Sequence, residues 1–500
     1  MLNVKHRIYG VAYNIDNVPS EDIISTSTIK NELLKLGHPM NHMYTHKKHL
    51  KHKKLFAKML CILLVCGGLS SAQHAYPGQS WEKIRRPEDF GYSLEKLEAV
   101  KEFANNKLKT AAVVIVIDGK ILFEWGEIEK EFSVHSARKS FMSTLYGNYV
   151  KNSTIDLSKT MKALGIDDIP PLTEQEKTAN VRQCLKARSG IYHDAAAESW
   201  SMRLLKPERD TYRPGEYWCY NNWDFNVLCT IFEQETGRRF YEALVSDIAK
   251  PIQMEDFDYD DERLEYEDVS VHPAYHFIMS ARDMARFGLL MLRNGYWKGE
   301  QVIPEEWVEQ ITSYHSNASL YGTDGYGYMW WVVKEDNKFP HFPFVKLKDG
   351  AYSARGAYGQ YLIVLPEYDM VVVHRVNSFE EGNLVSDNAM GLLLKMILDA
   401  GPHRSAALPA VSVKTLDKYV GEYEIRPSVS VTISREGNSL YVLYLLRSEQ
   451  IREELIAETE NEFYALNGTI KIKFVENNAG IVDQVIVYQV NRELPAKRIN

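Results

Sequence analysis

Cysteine is scarce in this chain, five in 500 residues, and two of the five, Cys61 and Cys66, sit in one apolar run near the N-terminus. The other three, Cys184, Cys219 and Cys229, are odd in number and irregular in spacing, which excludes a disulfide framework. No Cys-x-x-Cys pair and no His-Glu-x-x-His motif offers metal-ligand spacing, so neither a metal nor another cofactor is expected. Positive charge is in deficit: 59 Lys and Arg against 67 Asp and Glu leave a formal net charge of −8. That is the wrong sign for a surface that binds phosphates by releasing counterions, so nucleic acid is not an expected partner. Long hydrophobic runs are missing as well. The apolar stretch from Met59 to Leu69 is shorter than the ~20 residues that span a bilayer. Internal repeats and low-complexity segments are absent.

What remains is the composition of an ordinary globular protein, 45% hydrophobic and 25% charged. The length exceeds one domain of ~100–200 residues and implies two folded units. From His46 to Lys58 the chain carries Lys47, Lys48, Lys51, Lys53, Lys54 and Lys58 with no acid; Met59–Leu69 follows, then Ser70-Ser71-Ala72. A basic stretch, a short apolar stretch and small residues predict a signal peptide over 43–72, cleaved after Ala72, and a periplasmic or secreted protein. An uncleaved membrane anchor is the alternative. Met43 would start a signal of normal design, so residues 1–42 are expected to be a misassigned or disordered extension. A lipoprotein is disfavoured because bulky Val65 precedes Cys66.

A strand at Ala111–Ile117 and another at Lys120–Trp125 flank Asp118-Gly119, a dipeptide suited to a tight hairpin turn. Far downstream, Tyr361–Leu365 and Met370–Val376 flank Pro366-Glu367-Tyr368-Asp369. The intervening sequence is helical. Ser280 and Asp283 resemble a capping box, and Met284, Phe287 and Met291 recur on one face. A last helix over about Leu384–Leu398 stops at Gly401-Pro402. Strands from both ends and helices between predict one α+β domain over 73–403. Beyond it, Val429–Ser434, Ser439–Leu446, Thr469–Val475 and Val482–Val490 alternate around turns and predict a small all-β domain over 404–500, a barrel or a sandwich.

Ser136 and Lys139 form a Ser-x-x-Lys pair. Three residues rotate ~300° and rise ~4.5 Å on a helix, placing hydroxyl and amine on one face. A lysine kept neutral by burial and nearby positive charge can take the serine proton. The same spacing recurs at Ser27 with Lys30, Ser80 with Lys83, and Ser93 with Lys96, so context decides. Ser136 opens a continuous helical segment, Ala137–Tyr149, soon after the first hairpin, where the helix dipole favours a nucleophile. Ser93 reads as a helix cap. Tyr-x-Asn occurs twice. Tyr146-Gly147-Asn148 is ten residues beyond Ser136 on the same helix, ~15 Å away and out of reach. Tyr220-Asn221-Asn222 follows the turn residues Arg213-Pro214-Gly215, and a loop tyrosine can be aimed across a cleft.

Ser136-Ala137-Arg138-Lys139, Ser189-Gly190-Ile191, Pro214-Gly215 ahead of Tyr220-Asn221-Asn222, and Gly356 with Gly359-Gln360 together resemble the β-lactamase-related serine hydrolases. That group includes class C β-lactamases, D-alanyl-D-alanine carboxypeptidases, certain esterases and 6-aminohexanoate-dimer hydrolases. The resemblance covers roughly Tyr92 to Asp399, and the segment around Leu416–Tyr423 resembles the β-rich C-terminal domain that often accompanies such enzymes. It implies a β-lactamase/transpeptidase-like fold and a small-molecule or peptide-like substrate. Ser136 would attack the carbonyl with Lys139 controlling its proton. Tyr220, its pKa lowered by Lys139, would pass the proton to the leaving group, and Asn222 would orient substrate and lysine. The third family motif aligns with Ala354-Arg355-Gly356-Ala357. In that frame the N–H groups of Ser136 and Ala357 form an oxyanion hole, and Gly356 lets substrate lie against the strand. The cation expected at the first position is Ala354, with Arg355 one place off, on the opposite strand face. This departure favours an amide or ester over a lactam or D-Ala-D-Ala substrate. Lys348-Asp349-Gly350 is a rival frame. A β-lactamase or carboxypeptidase, and a silent penicillin-binding-like sensor or cell-wall-associated protein, remain as alternatives. His135 and His193 are expected to line the cleft or to be structural. The sequence does not fix an oligomeric state.

Overall fold

The computed structural model describes residues 74–258, 262–318, 325–335, 340, 342–403, 406–446, 449–489 and 492–499. The expected extension at 1–42 and signal segment at 43–72 lie outside them.

Asp118 and Gly119 both adopt positive φ, 49° and 69°, as a two-residue hairpin turn of the primed type requires. They join β1 (Ala112–Ile117) to β2 (Lys120–Gly126). The sheet has eight strands: these two, then β3 (Ser316–Asn317), β4 (Gly325–Tyr326), β5 (Trp331–Val332), β6 (Tyr352–Gly356), β7 (Gln360–Leu365) and β8 (Met370–Arg375). Their spatial order is β2-β1-β8-β7-β6-β5-β4-β3, antiparallel throughout. As expected, the two ends of the domain meet in one sheet: β1 pairs with β8, with Ala112 opposite Arg375 and Ile117 opposite Met370.

Every residue of β1 is buried, because helices cover both sheet faces. On one face pack α1 (Leu94–Lys107), capped by Ser93, and a C-terminal helix, Asp387–Asp399. On the other lies the helix Ala281–Leu292, which approaches closely at Gly288, where a Cβ would fall 2.5 Å from Val371 Cγ1. Ser280 caps that helix by accepting from Asp283 N. The reciprocal half of a capping box is missing, since the Asp283 carboxylate accepts instead from the N–H groups of Glu255, Asp256 and Phe257. No helix among the described residues is long and apolar enough to cross a membrane.

The C-terminal segment is a closed antiparallel barrel of eight strands in chain order, Gly421–Arg426 through Arg492–Arg498, closed by pairing Tyr423 with Arg498. Its interior is filled by Tyr423, Val431, Val442, Ile472, Phe474 and Val485, with Tyr419 stacked on Phe474 at 4.0 Å. Short polar links tie it to the first domain. Ser386 Oγ donates to Leu466 O at 2.7 Å, and Asn388 Nδ2 donates to Ala465 O and Gly468 O at 2.9 and 3.1 Å.

Candidate active site

Ser136 lies in a single 3₁₀ turn, His135–Ala137, that runs into α2 (Arg138–Lys151). His135, just ahead of it, has φ +47°, so the chain turns sharply there. The turn is anchored from several sides. The preceding strand residues pair with Ala274–Met279, and Val134 N donates to Phe277 O at 3.2 Å. From β8 the buried Arg375 guanidinium donates to Phe132 O at 2.8 Å, Ser133 O at 3.1 Å, Met279 O at 2.5 Å and Gln360 Oε1 at 2.8 Å. Gln360 Nε2 in turn donates to Val376 O at 2.9 Å. Thus the glutamine of the Gly-Gln pair orients an arginine that fastens the backbone leading to Ser136. Sequence reasoning found Gln360 and missed Arg375.

Gly356 serves the same turn. A Cβ there would fall 2.3 Å from Val134 O and 3.1 Å from His135 Cβ. The sequence suggested that substrate needs this space; the protein's own backbone fills it.

Lys139 is 1% exposed, and its Nζ lies 2.9 Å from Ser136 Oγ, within hydrogen-bond range. The amine also sits over two aromatic faces, 4.8 Å from the Tyr220 ring centre and 4.9 Å from that of Phe225. Burial, reinforced by Arg138, pushes its pKa well below the usual lysine range. The other Ser-x-x-Lys pairs have different settings: Ser93 caps α1, and Lys83 pairs with Glu124.

Tyr220 completes the group through a hydrogen bond with Ser136. It stands at the end of a loop fixed by Arg188, whose guanidinium donates to Gly215 O at 3.0 and 2.7 Å and to Glu216 O at 2.9 Å. Asn221 then caps the helix α3 (Asn222–Thr236) by accepting from Trp223 N at 3.0 Å. The Tyr220 ring packs on Phe225 at 4.9 Å and Trp331 at 5.3 Å. One expectation is corrected here. The Tyr220 pKa is raised, because burial outweighs the opposing pull of Ser136, Arg138 and Arg355. Lys139, expected to lower it, lies over the ring face. The other Tyr-x-Asn tyrosine, Tyr146, donates to Leu228 O in the core.

Asn222 is buried in the first turn of α3, and its Nδ2 donates to Ala196 O at 3.2 Å and Ala197 O at 2.6 Å. That amide nitrogen holds the loop at 196–197; Oδ1 is buried with no hydrogen-bond partner among the described residues. On β6, Ala354 is fully buried opposite Leu362, while Arg355, opposite Tyr361, pairs with Asp387 and stacks 5.0 Å from the Trp331 ring centre. Gly356 ends the strand beside the Ser136 turn, and exposed Ala357 follows. In the rival frame, Lys348 is paired with Glu367 and Asp349 with Lys334.

His135 Nε2 is 2.8 Å from Ser378 Oγ, and burial with Arg138, Arg375 and Lys139 pushes its pKa down to about 4. His193 contacts Asp194 O and Pro170 O at 2.8 and 3.0 Å, away from Ser136 in its bonding. Cys184, Cys219 and Cys229 are buried free thiols. A half-buried hydroxyl, a buried amine and a buried phenol therefore share one hydrogen-bonded group. An amine in this state can accept the serine proton, and a phenol above its usual pKa can donate one.

The family model described as Beta-lactamase matches residues 98–394 of this chain. The chain is 22% identical over 301 residues to an uncharacterized protein of Alkalihalophilus pseudofirmus, covering 54% of this chain and 84% of that protein. It is 27% identical over 201 residues to the 6-aminohexanoate-dimer hydrolase of Paenarthrobacter ureafaciens, covering 36% of this chain and 46% of that protein. Among solved structures, the octameric penicillin-binding protein homologue from Pyrococcus abyssi aligns with a TM-score of 0.46 at 18% identity, over 81% of this chain and 100% of that one.

Proposed function

The chain belongs to the beta-lactamase family of hydrolases, whose model spans residues 98–394, and we propose that it cleaves an amide or ester bond through an acyl-serine intermediate on Ser136. The observation that carries this reading is the 2.9 Å contact between Ser136 Oγ and a fully buried Lys139 whose pKa is pushed down. Lys139 takes the proton as Oγ attacks the substrate carbonyl, and the N–H groups of Ser136 and Ala357 receive the developing oxyanion. Tyr220, held protonated by burial, gives its proton to the leaving group and regains the one that Lys139 took from Ser136. Water then hydrolyses the acyl-enzyme by the reverse relay.

A small acyl group without a carboxylate is favoured because Ala354 offers no charge and Arg355 is already engaged by Asp387. The likeness to a 6-aminohexanoate-dimer hydrolase, named for a dimer of an amino acid, supports including amides beside esters. Export with cleavage after Ala72 belongs to the same proposal, supported by the basic, apolar and small-residue order of 46–72.

Stopped-flow hydrolysis of p-nitrophenyl acetate, run beside nitrocefin, tests the reading. A burst of p-nitrophenol equal to the enzyme, followed by slower turnover, is expected, with nitrocefin hydrolysed poorly. Efficient nitrocefin turnover would move the protein to the lactamase branch. A folded protein with neither activity would instead favour the silent binding role.

A further inference from the structure

The residue beside Lys139 in the motif is a buried charge without a counter-charge among the described residues. Arg138 is 3% exposed; its Nη1 donates to His135 O at 3.2 Å, and its guanidinium carbon lies 5.2 Å from the Tyr275 ring centre. Its Nε and Nη2 are buried with no hydrogen-bond partner among the described residues. Other deeply buried arginines of this chain are compensated. Arg286 and Arg293 are held by Glu255 and Asp369, and Arg375 reaches four oxygen atoms. A buried guanidinium ordinarily has a carboxylate partner, since desolvating an unpaired ion is costly and one aromatic face offsets only part of it. An exception of this kind calls for an explanation.

The groups that feel Arg138 supply one. On its own turn and helix these are His135 and Lys139; from the strand Ala274–Met279 they are Tyr275 and His276; from the loop before α3 comes Tyr220. Arg138 acts on all five in one sense, against protonation. The charges nearby are further cations, Arg355 facing Tyr220 and Arg375 facing His135. The acids close by are engaged elsewhere, Glu265 with His276 at 3.3 Å, while Glu131 faces Arg375.

We propose that Arg138 is a positioning residue of this site, a deliberately unneutralised buried charge that keeps Lys139 unprotonated and so sets the pH at which Ser136 becomes reactive. This rests on the acyl-serine reading. A carboxylate beside Arg138 would cancel its field at Lys139, which accounts for two guanidinium nitrogens left without an acceptor among the described residues.

The test is the rate at which a fluorophosphonate, a reagent that does not itself titrate, labels Ser136 of the full chain as a function of pH. Wild type is compared with Arg138→Met and Arg138→Lys. A like charge within ~10 Å in an effective dielectric of about 20 moves a pKa by about one unit. The Met variant should therefore show its labelling midpoint about one pH unit higher, whether Lys139 or Tyr220 limits the reaction, and the Lys variant should return it toward wild type. Arg138→Gln supplies a second neutral variant should Met not fold, as judged by far-UV circular dichroism. An unmoved midpoint in a folded neutral variant overturns the proposal, as does a Lys variant that shifts as far as Met. Wild type left unlabelled at every pH would remove the acyl-serine reading itself, a distinct outcome.

Discussion

Gly356 and Val134 meet through backbone alone: a Cβ on the glycine would stand 2.3 Å from the Val134 carbonyl oxygen, two residues ahead of Ser136. A carbonyl fixed by a strand cannot yield as a side-chain tip can. Gly356→Ala should displace the Ser136 turn, lower esterase kcat/KM at least tenfold and cost ~1–3 kcal/mol in urea unfolding, the range for overpacking. Unchanged rate and midpoint would show that the turn has slack.

Lys139 is a buried amine whose folded pKa lies below its unfolded value of 10.5. Between those values the unfolded chain holds a proton that the folded chain lacks. The stability linked to this residue is thus fully present above the unfolded pKa and lost as pH falls through the window toward the folded one. Lys139→Met removes that penalty. The variant should be inactive yet more stable at neutral pH by about 0.5–2 kcal/mol, the usual gain when a functional site gives up its strain. Equal or lower stability, measured by urea unfolding at pH 7, would contradict the assignment.

Asp387 receives both Arg355 and the Tyr361 hydroxyl, the latter at 2.6 Å. Asp387→Ala leaves Arg355, with a side chain only 13% exposed, without its carboxylate. The loss should be ~1–3 kcal/mol, the range for a charge-assisted hydrogen bond removed from one side. Arg355→Met in the Asp387→Ala background should recover part of it; a double-mutant cycle with no coupling would show the pair to be incidental.

Ser386 both caps the C-terminal helix, accepting from Ala389 N at 3.1 Å, and donates to Leu466 O on the barrel. Paired substitution Ser386→Ala and Asn388→Ala removes these links. It should cost ~1–3 kcal/mol, from lost hydrogen bonds and a lost cap, and should speed limited proteolysis in the connection at 400–412. Unaltered cleavage would mean that apolar contacts alone hold the barrel.

Local features were legible. The Asp118-Gly119 hairpin, the Ser93 and Ser280 caps and the start of α2 depend on residues within a few positions of one another. Several barrel strands were not: Glu449–Ala457 carries the run Arg452-Glu453-Glu454, and Arg492–Arg498 contains Pro495, so neither reads as a strand until its neighbours are known. In the site, Ser136, Lys139 and Tyr220 were found from spacing and setting, and their meeting is a property of the fold. Arg375 was missed because its acceptors come from residues 132, 133, 279 and 360. The direction of the Tyr220 shift was misjudged because a neighbouring charge can be counted in a sequence, whereas burial cannot. Arg138 carried no role in the sequence for the same reason: its burial is a property of α2, which is buried on nearly every side and shows no apolar stripe.

The most direct test of the central claim is peptide mass mapping after a fluorophosphonate reacts with the wild-type protein and with Lys139→Met. One adduct per wild-type chain is expected, confined to the peptide bearing Ser136, and none on the folded Lys139→Met variant. An adduct elsewhere, or equal labelling of the variant, would contradict a nucleophilic Ser136 activated by Lys139.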